Sequence, residues 1–126
     1  MDATIKAKLP ENITSEIVEG MRSILGEKLQ SVVLYGSVAR GDDGPESDVD
    51  IALFVREPMT RELIQQVNSC MTDINWNYDR FLSVIDIDQS KYERWIGVLP
   101  FYQNIEKDGI VLWKASQAAT DEDNNP

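Results

Sequence analysis

The chain has 126 residues, enough for one compact domain with one hydrophobic core. It carries 12 Lys and Arg against 22 Asp and Glu, a formal net charge of −10. Such a surface repels nucleic-acid phosphates and the sequence has no basic cluster, so we expect no direct DNA or RNA binding.

The side-chain inventory restricts the chemistry further. There is no histidine, which excludes imidazole metal sites and every catalytic device built on a histidine base. The single cysteine, Cys70, cannot form an intrachain disulfide. No segment has the apolar length of a membrane span, and the first residues lack the apolar run of a signal peptide. These features predict a cytoplasmic protein without a membrane-bound segment.

The first half of the chain predicts a helix followed by two strands. Residues 1–13 give little signal and are assigned to an N-terminal lead-in. Apolar side chains recur at helical spacing over residues 14–25. Residues 31–35 are typical of a buried strand, and a loop over residues 41–47 leads to a second strand, Val49–Val55.

The second half predicts a helix, a strand, two short helices and an edge strand. Thr60 is the expected N-cap of the long helix. Its apolar stripe comprises Leu63, Ile64, Val67, Met71 and Ile74. A third strand is expected over residues 81–87, and Ser90 begins a capping box that opens a short helix. A helical turn over residues 102–107 and an edge strand over residues 110–113 follow.

This order of elements predicts the fold class and the domain limits. We expect an α/β (α+β) domain over residues 14–113, with a small mixed sheet and helices packed mainly on one face. Residues 114–126 are acidic and polar, and they predict a disordered tail.

Two acidic residues at the start of the second strand carry the strongest functional signal. Successive strand residues point to opposite faces, so Asp48 and Asp50 share one face, about 7 Å apart along the chain. Two carboxylates on one side of an apolar strand are costly unless a cation lies between them. A divalent metal ion with a nucleoside triphosphate is the natural candidate. The pair therefore favours an enzyme.

The surrounding residues resemble a known family. Leu34–Gly41, followed by Ser47–Leu53, contains Gly-Ser, ten residues and Asp-x-Asp, the signature of the minimal nucleotidyltransferases in the DNA polymerase β-like superfamily. Tyr78–Ile85 and Phe101–Gly109 resemble later blocks of bacterial members. The resemblance implies a polymerase beta-like core and Mg²⁺-dependent transfer of a nucleoside monophosphate to a hydroxyl. The expected donor is ATP, which would give AMP transfer, or another NTP.

The resemblance also implies which residues bind the phosphates. Gly36 has no Cβ and lets the backbone approach a phosphate, while Ser37 offers its hydroxyl and its N–H. Arg40 matches the Ala-Arg-Gly of the family, which implies a phosphate contact. An ion pair of Arg40 with Asp42 or Asp43 is an equal alternative.

Three carboxylates are expected as catalytic metal ligands. Two Mg²⁺ ions are expected: Asp48 and Asp50 would hold Mg²⁺ at the phosphates, and a second ion would activate the attacking hydroxyl. Such a site usually needs a third carboxylate from a neighbouring strand. The resemblance places this third ligand at Asp79. Asp86 is the competing residue, but it lies on the opposite face of the third strand from Asp79.

The resemblance finally suggests a partner. Small bacterial relatives often pair with a HEPN-domain RNase toxin, which the nucleotidyltransferase neutralises by adenylylation, and an acidic chain suits a basic partner. Two alternatives stay open. One is a catalytically weak or inactive module that binds a nucleotide or a partner. The other is a small-molecule (antibiotic-type) nucleotidyltransferase that completes its site as a homo-oligomer.

Overall fold

The computed structural model describes residues 11–41 and 48–115. The elements, in chain order, are α1 (Glu11–Leu25), a 3-10 turn (Gly26–Lys28), β1 (Leu29–Tyr35), α2 (Gly36–Arg40), β2 (Val49–Val55), α3 (Arg61–Tyr78), β3 (Leu82–Asp88), α4 (Gln89–Trp95), α5 (Pro100–Asp108) and β4 (Ile110–Lys114). The predicted order of helices and strands is therefore found, with the short α2 between the first two strands.

The strands form one mixed sheet in the order β3-β2-β1-β4. β1 is antiparallel to β2 and to β4, whereas β2 and β3 are parallel and are connected through α3. This confirms the predicted class. The register brings the end of β1 and the starts of β2 and β3 together, since Tyr35 pairs with Asp50 and Val49 pairs with Leu82.

Helices α1 and α3 cover one face of the sheet. The strands bury alternate residues against them, including Val32 and Leu34 of β1 and Ile51 and Leu53 of β2. The two helices contribute a matching set of buried side chains, namely Ile13, Ile17, Met21, Leu25, Val67, Met71 and Ile74. Burial of each large side chain is worth about 1.5–3 kcal/mol, so this layer is the main core.

The shorter helices α4 and α5 cover part of the other face. Tyr92 and Ile105 pack there against Ala52 and Phe54 of β2. The rings of Phe54 and Tyr92 meet edge to face, with centroids 4.7 Å apart. The two longest helices thus pack on one face of the sheet, as predicted, and the second face has a smaller core of its own.

The ends of the domain differ slightly from the predicted limits. α1 begins at Glu11, inside the predicted lead-in, because Ile13 belongs to the core and is fully buried. β4 extends to Lys114, one residue into the predicted tail. The rest of the lead-in and tail predictions concerns residues outside those described. Across residues 11–41 and 48–115, each helix is too short or too polar to cross a bilayer.

Three details of the helices were predicted incorrectly. Ile64 is 39% exposed and does not belong to the buried stripe of α3. Asp88, not Ser90, caps α4: its carboxylate accepts hydrogen bonds from the N–H and the hydroxyl of Ser90, at 2.9 and 2.7 Å. Pro100 occupies the first turn of α5, so that helix begins two residues before the predicted turn.

Candidate active site

The candidate site lies where β1 stops and β2 starts. β1 ends at Tyr35, and α2 starts at the next residue, Gly36. α2 is fixed to the domain through Val38 and Ala39, which are both buried. Because Tyr35 pairs with Asp50 across the sheet, the beginning of α2 is held beside the second residue of β2.

Gly36 is in direct contact with the carboxylate of Asp50. A Cβ on Gly36 would overlap Oδ2 of Asp50 and would lie 3.1 Å from its Cγ and 3.3 Å from its Cβ. The backbone of Gly36 also has φ +80°, a conformation that side chains with a Cβ rarely adopt. Ser37 follows in the same turn and is half-buried. The predicted phosphate-binding pair is therefore located beside Asp50.

The two aspartates interact electrostatically. Asp48 is exposed immediately before β2, and Asp50 is half-buried. Burial raises the pKa of Asp50, and the neighbouring carboxylate of Asp48 raises it further. An oxygen-rich pair with like charges suits a hard divalent cation such as Mg²⁺, which would balance the repulsion. These residues fit one such ion.

A positive charge lies next to this pair. Arg40 is the last residue of α2 and is exposed. Its guanidinium opposes the upward shift in the pKa of Asp50, which indicates proximity to that carboxylate. This position is compatible with the predicted phosphate contact. The alternative ion pairs with Asp42 and Asp43 involve residues outside those described.

Tyr35 lies beside Asp50 at the site and was not among the site residues predicted from the sequence. Its ring meets Phe101 of α5 edge to face, with centroids 5.8 Å apart. Burial raises the pKa of the Tyr35 hydroxyl, and the charge of Asp50 raises it further. The available signal was its position at the end of β1, directly before Gly36.

Asp79 does not occupy a strand position. It is the C-cap of α3, with φ 55°, and its N–H donates a hydrogen bond to the carbonyl of Asn75. β3 begins three residues later, at Leu82. A left-handed residue interrupts strand alternation, so the predicted face of Asp79 no longer follows from its spacing. Among residues 11–41 and 48–115, no group of three or more His, Cys, Asp or Glu side chains is arranged to hold a metal ion.

The residues of β3 beside the aspartate pair carry no carboxylate. In the parallel register Asp50 lies next to Ser83. Phe81 comes next to Asp48, because the N–H of Val49 donates a hydrogen bond to the carbonyl of Phe81 at 2.8 Å. Asp86 is next to Leu53, on the face covered by α1 and α3, as its predicted orientation requires.

Two cavities lie elsewhere. One, about 580 Å³, lies between α1 and α3 beside Cys70. The other, about 270 Å³, lies between the sheet and helices α4 and α5, beside Tyr92. Neither is lined by Asp48 or Asp50, so the acidic pair is distinct from both cavities.

Sequence comparison gives two matches. The family model described as Polymerase beta, Nucleotidyltransferase matches residues 19–118. A protein of Methanocaldococcus jannaschii, named "Putative protein adenylyltransferase MJ0141", is 37% identical over 73 residues, which are 58% of this chain and 74% of that protein. The family match includes every residue of the candidate site.

Solved structures share the fold. A chain in the crystal structure of a toxin-antitoxin with AMP-PNP has a TM-score of 0.57 at 18% identity, covering 85% of this chain and 77% of that chain. A chain in the structure of a tri-AMPylated Shewanella oneidensis HEPN toxin in complex with MNT antitoxin has a TM-score of 0.54 at 18% identity, covering 86% and 75%. The predicted resemblance is confirmed: the chain belongs to the Polymerase beta, Nucleotidyltransferase family and is a nucleotidyltransferase.

Proposed function

We propose that this nucleotidyltransferase moves AMP from Mg²⁺-bound ATP to a hydroxyl group of a protein partner. The observation that carries the proposal is the packing of Gly36 against the carboxylate of Asp50. Gly36 has no side chain, so its turn leaves space beside the carboxylate of Asp50. A triphosphate and its metal ion can therefore share one small site. The name of the related Methanocaldococcus jannaschii protein supports adenylyl transfer to a protein.

Each residue of the site has a defined task in this proposal. Asp48 and Asp50 hold the metal ion through their carboxylate oxygens. Gly36 leaves room for a phosphate, and Ser37 donates its N–H or hydroxyl to a phosphate oxygen. Arg40 supplies a positive charge on the same side of the pair. When bound, Mg²⁺ supplies charge neutralisation for the triphosphate.

The reaction is a substitution at the α-phosphorus. The acceptor oxygen forms a bond to that phosphorus, and the bond to the oxygen bridging the α- and β-phosphates breaks. Pyrophosphate leaves, and the proton of the acceptor hydroxyl passes to solvent. The chain orients the phosphates for this in-line attack through the fixed turn at Gly36 and Ser37.

We propose a HEPN-type toxin as the acceptor protein and an antitoxin role for this chain. Two observations support this class of partner. The fold is shared with chains in solved toxin-antitoxin structures, one of which contains a tri-AMPylated HEPN toxin. The net charge of −10 also favours association with a basic, RNA-cleaving protein. A cytoplasmic setting stays a prediction.

The test is transfer of label from α-labelled ATP to a purified HEPN-type toxin. We expect label on the partner with Mg²⁺ and none with a chelator. Asp50→Asn should abolish the transfer, and Asp86→Asn, which changes an exposed carboxylate on the opposite face of the sheet, should not.

Labelling from γ-labelled ATP separates two chemistries. AMP transfer gives no label on the partner from the γ-position, because the γ-phosphate leaves in pyrophosphate. Label from the γ-position, or equal labelling by wild type and Asp50→Asn, would overturn the proposal.

A further inference from the structure

The strand beside the metal-binding pair presents no carboxylate to it. β3 is the neighbour of β2 and runs parallel to it. The residues next to Asp48 and Asp50 on this side are Phe81, which immediately precedes β3, and Ser83 of β3. The two positions from which this strand could complete a three-carboxylate site are therefore occupied by an aromatic ring and a hydroxyl.

The acidic residues near β3 do not occupy these two positions. Asp79 lies in the left-handed turn that ends α3, outside the strand. Asp86 lies next to Leu53, on the other face of the sheet. Asp88 caps α4 through its hydrogen bonds to Ser90. None of the three extends from β3 toward Asp50 in the observed register.

The environment of Phe81 suits an uncharged side chain. Its side chain is 62% exposed, although the next residue, Leu82, is buried under α1 and α3. Alternation along β3 therefore places Phe81 with Ser83 on the face of the aspartate pair. A large exposed aromatic side chain beside Asp48 cannot provide oxygen ligands, but it offers an apolar surface to a bound molecule.

We propose that the site holds one divalent cation, not two, with Phe81 and Ser83 in place of the third carboxylate. This inference rests on the proposed function, because it concerns the metal ion that accompanies the nucleotide. Asp48 and Asp50 hold the single ion against the phosphates. A second ion, which would activate the acceptor hydroxyl, has no carboxylate ligand on β3. The acceptor hydroxyl must therefore lose its proton without the help of a second metal ion bound by this strand.

The test is the number of Mn²⁺ ions bound per chain at saturating AMP-PNP, measured by equilibrium dialysis with electron paramagnetic resonance detection. We expect one ion for wild type. Ser83→Asp should bind two, because it adds a carboxylate next to Asp50. Phe81→Asp provides a second variant at a mostly exposed position and is also expected to bind two.

A matched control is Ser69→Asp. It makes the same change at an exposed position of α3, away from the pair, and should bind one ion. Ser83→Ala should also bind one, which shows that the hydroxyl is not a required ligand.

The outcomes separate this inference from the proposed function. Two ions in wild type would overturn the inference, and a fall to one in Asp79→Asn would then identify Asp79 as the third ligand. If Ser83→Asp and Phe81→Asp both fold and still bind one ion, the assignment of Phe81 and Ser83 to the face of the metal site is overturned. No bound ion and no AMP-PNP binding in wild type would overturn the proposed function itself.

Discussion

Gly36 and Asp50 lie so close together that a single added methyl group at Gly36 would overlap the carboxylate of Asp50. The two residues come from different elements, α2 and β2, and the pairing of Tyr35 with Asp50 fixes their separation. The glycine of the motif is thus required twice, for its positive φ and for the space that Asp50 fills.

Gly36→Ala should displace Asp50 and weaken binding of Mg²⁺ and AMP-PNP. We expect the affinity to fall more than about tenfold, equivalent to ~1.4 kcal/mol, measured by calorimetry. Gly41→Ala is a matched control, because Gly41 has φ +82° but nothing within 4 Å of an added Cβ. The control should lose about 1–2 kcal/mol of stability through backbone strain and keep its affinity. Equal affinities for both variants would contradict the role of the Asp50 contact.

Asp50→Asn should stabilise the metal-free protein at neutral pH. Burial and the charge of Asp48 raise the pKa of Asp50, so its ionised form disfavours the folded state above the ordinary pKa of an aspartate. We expect the melting temperature in a chelator to rise by about 1–4 °C. Below the ordinary pKa the gain should vanish, since Asp50 is then protonated in both states. A lower melting temperature at neutral pH would show that Asp50 supports the fold.

Asp88→Ala should destabilise α4 in a pH-dependent way. Hydrogen bonds from Ser90 lower the pKa of Asp88, so the ionised cap stabilises the fold above the ordinary pKa of an aspartate. That stability is lost as the pH falls through the lowered pKa. Thermal melts should therefore show a lower melting temperature for the variant at neutral pH and convergence with wild type in acid. A difference in melting temperature that stays constant with pH for Asp88→Ala would rule out the charged cap.

Gly20→Ala should disturb the contact between α1 and α3. An added Cβ would lie 2.5 Å from Sγ of Cys70, which outweighs the better helix propensity of alanine. We expect a loss of about 1–3 kcal/mol in urea unfolding. The double variant Gly20→Ala with Cys70→Ala should recover part of that loss, because the sulfur is gone. If the losses of unfolding free energy in the two single variants simply add in the double variant, Gly20 and Cys70 do not limit the separation of α1 and α3.

Prediction from the sequence is most accurate where interactions between residues close together in the chain determine the structure. β2 has the predicted limits, Val49 and Val55, because an apolar run lies between the acidic start and Pro58. Thr60 caps α3 as expected, with its hydroxyl accepting a hydrogen bond from the N–H of Leu63 at 3.2 Å. Both features depend on residues within one turn or one strand.

The predictions are wrong where the local sequence is compatible with two different structures. Asp88 and Ser90 both favour an N-cap, and the end of β3 selects Asp88. Asp79 was placed at the entrance of the third strand, on the face given by strand alternation, but α3 continues to Tyr78 and Asp79 forms its left-handed cap, a conformation that Asp tolerates. The relation between β3 and the site also depends on the register with β2, which spacing in one chain does not encode.

The most direct measurement is a crystal structure of the protein with Mg²⁺ and AMP-PNP. We predict a metal ion bound by Asp48 and Asp50, with the triphosphate on the turn at Gly36 and Ser37. A nucleotide seated instead in the cavity beside Tyr92, or a metal ion that does not touch Asp50, would contradict it.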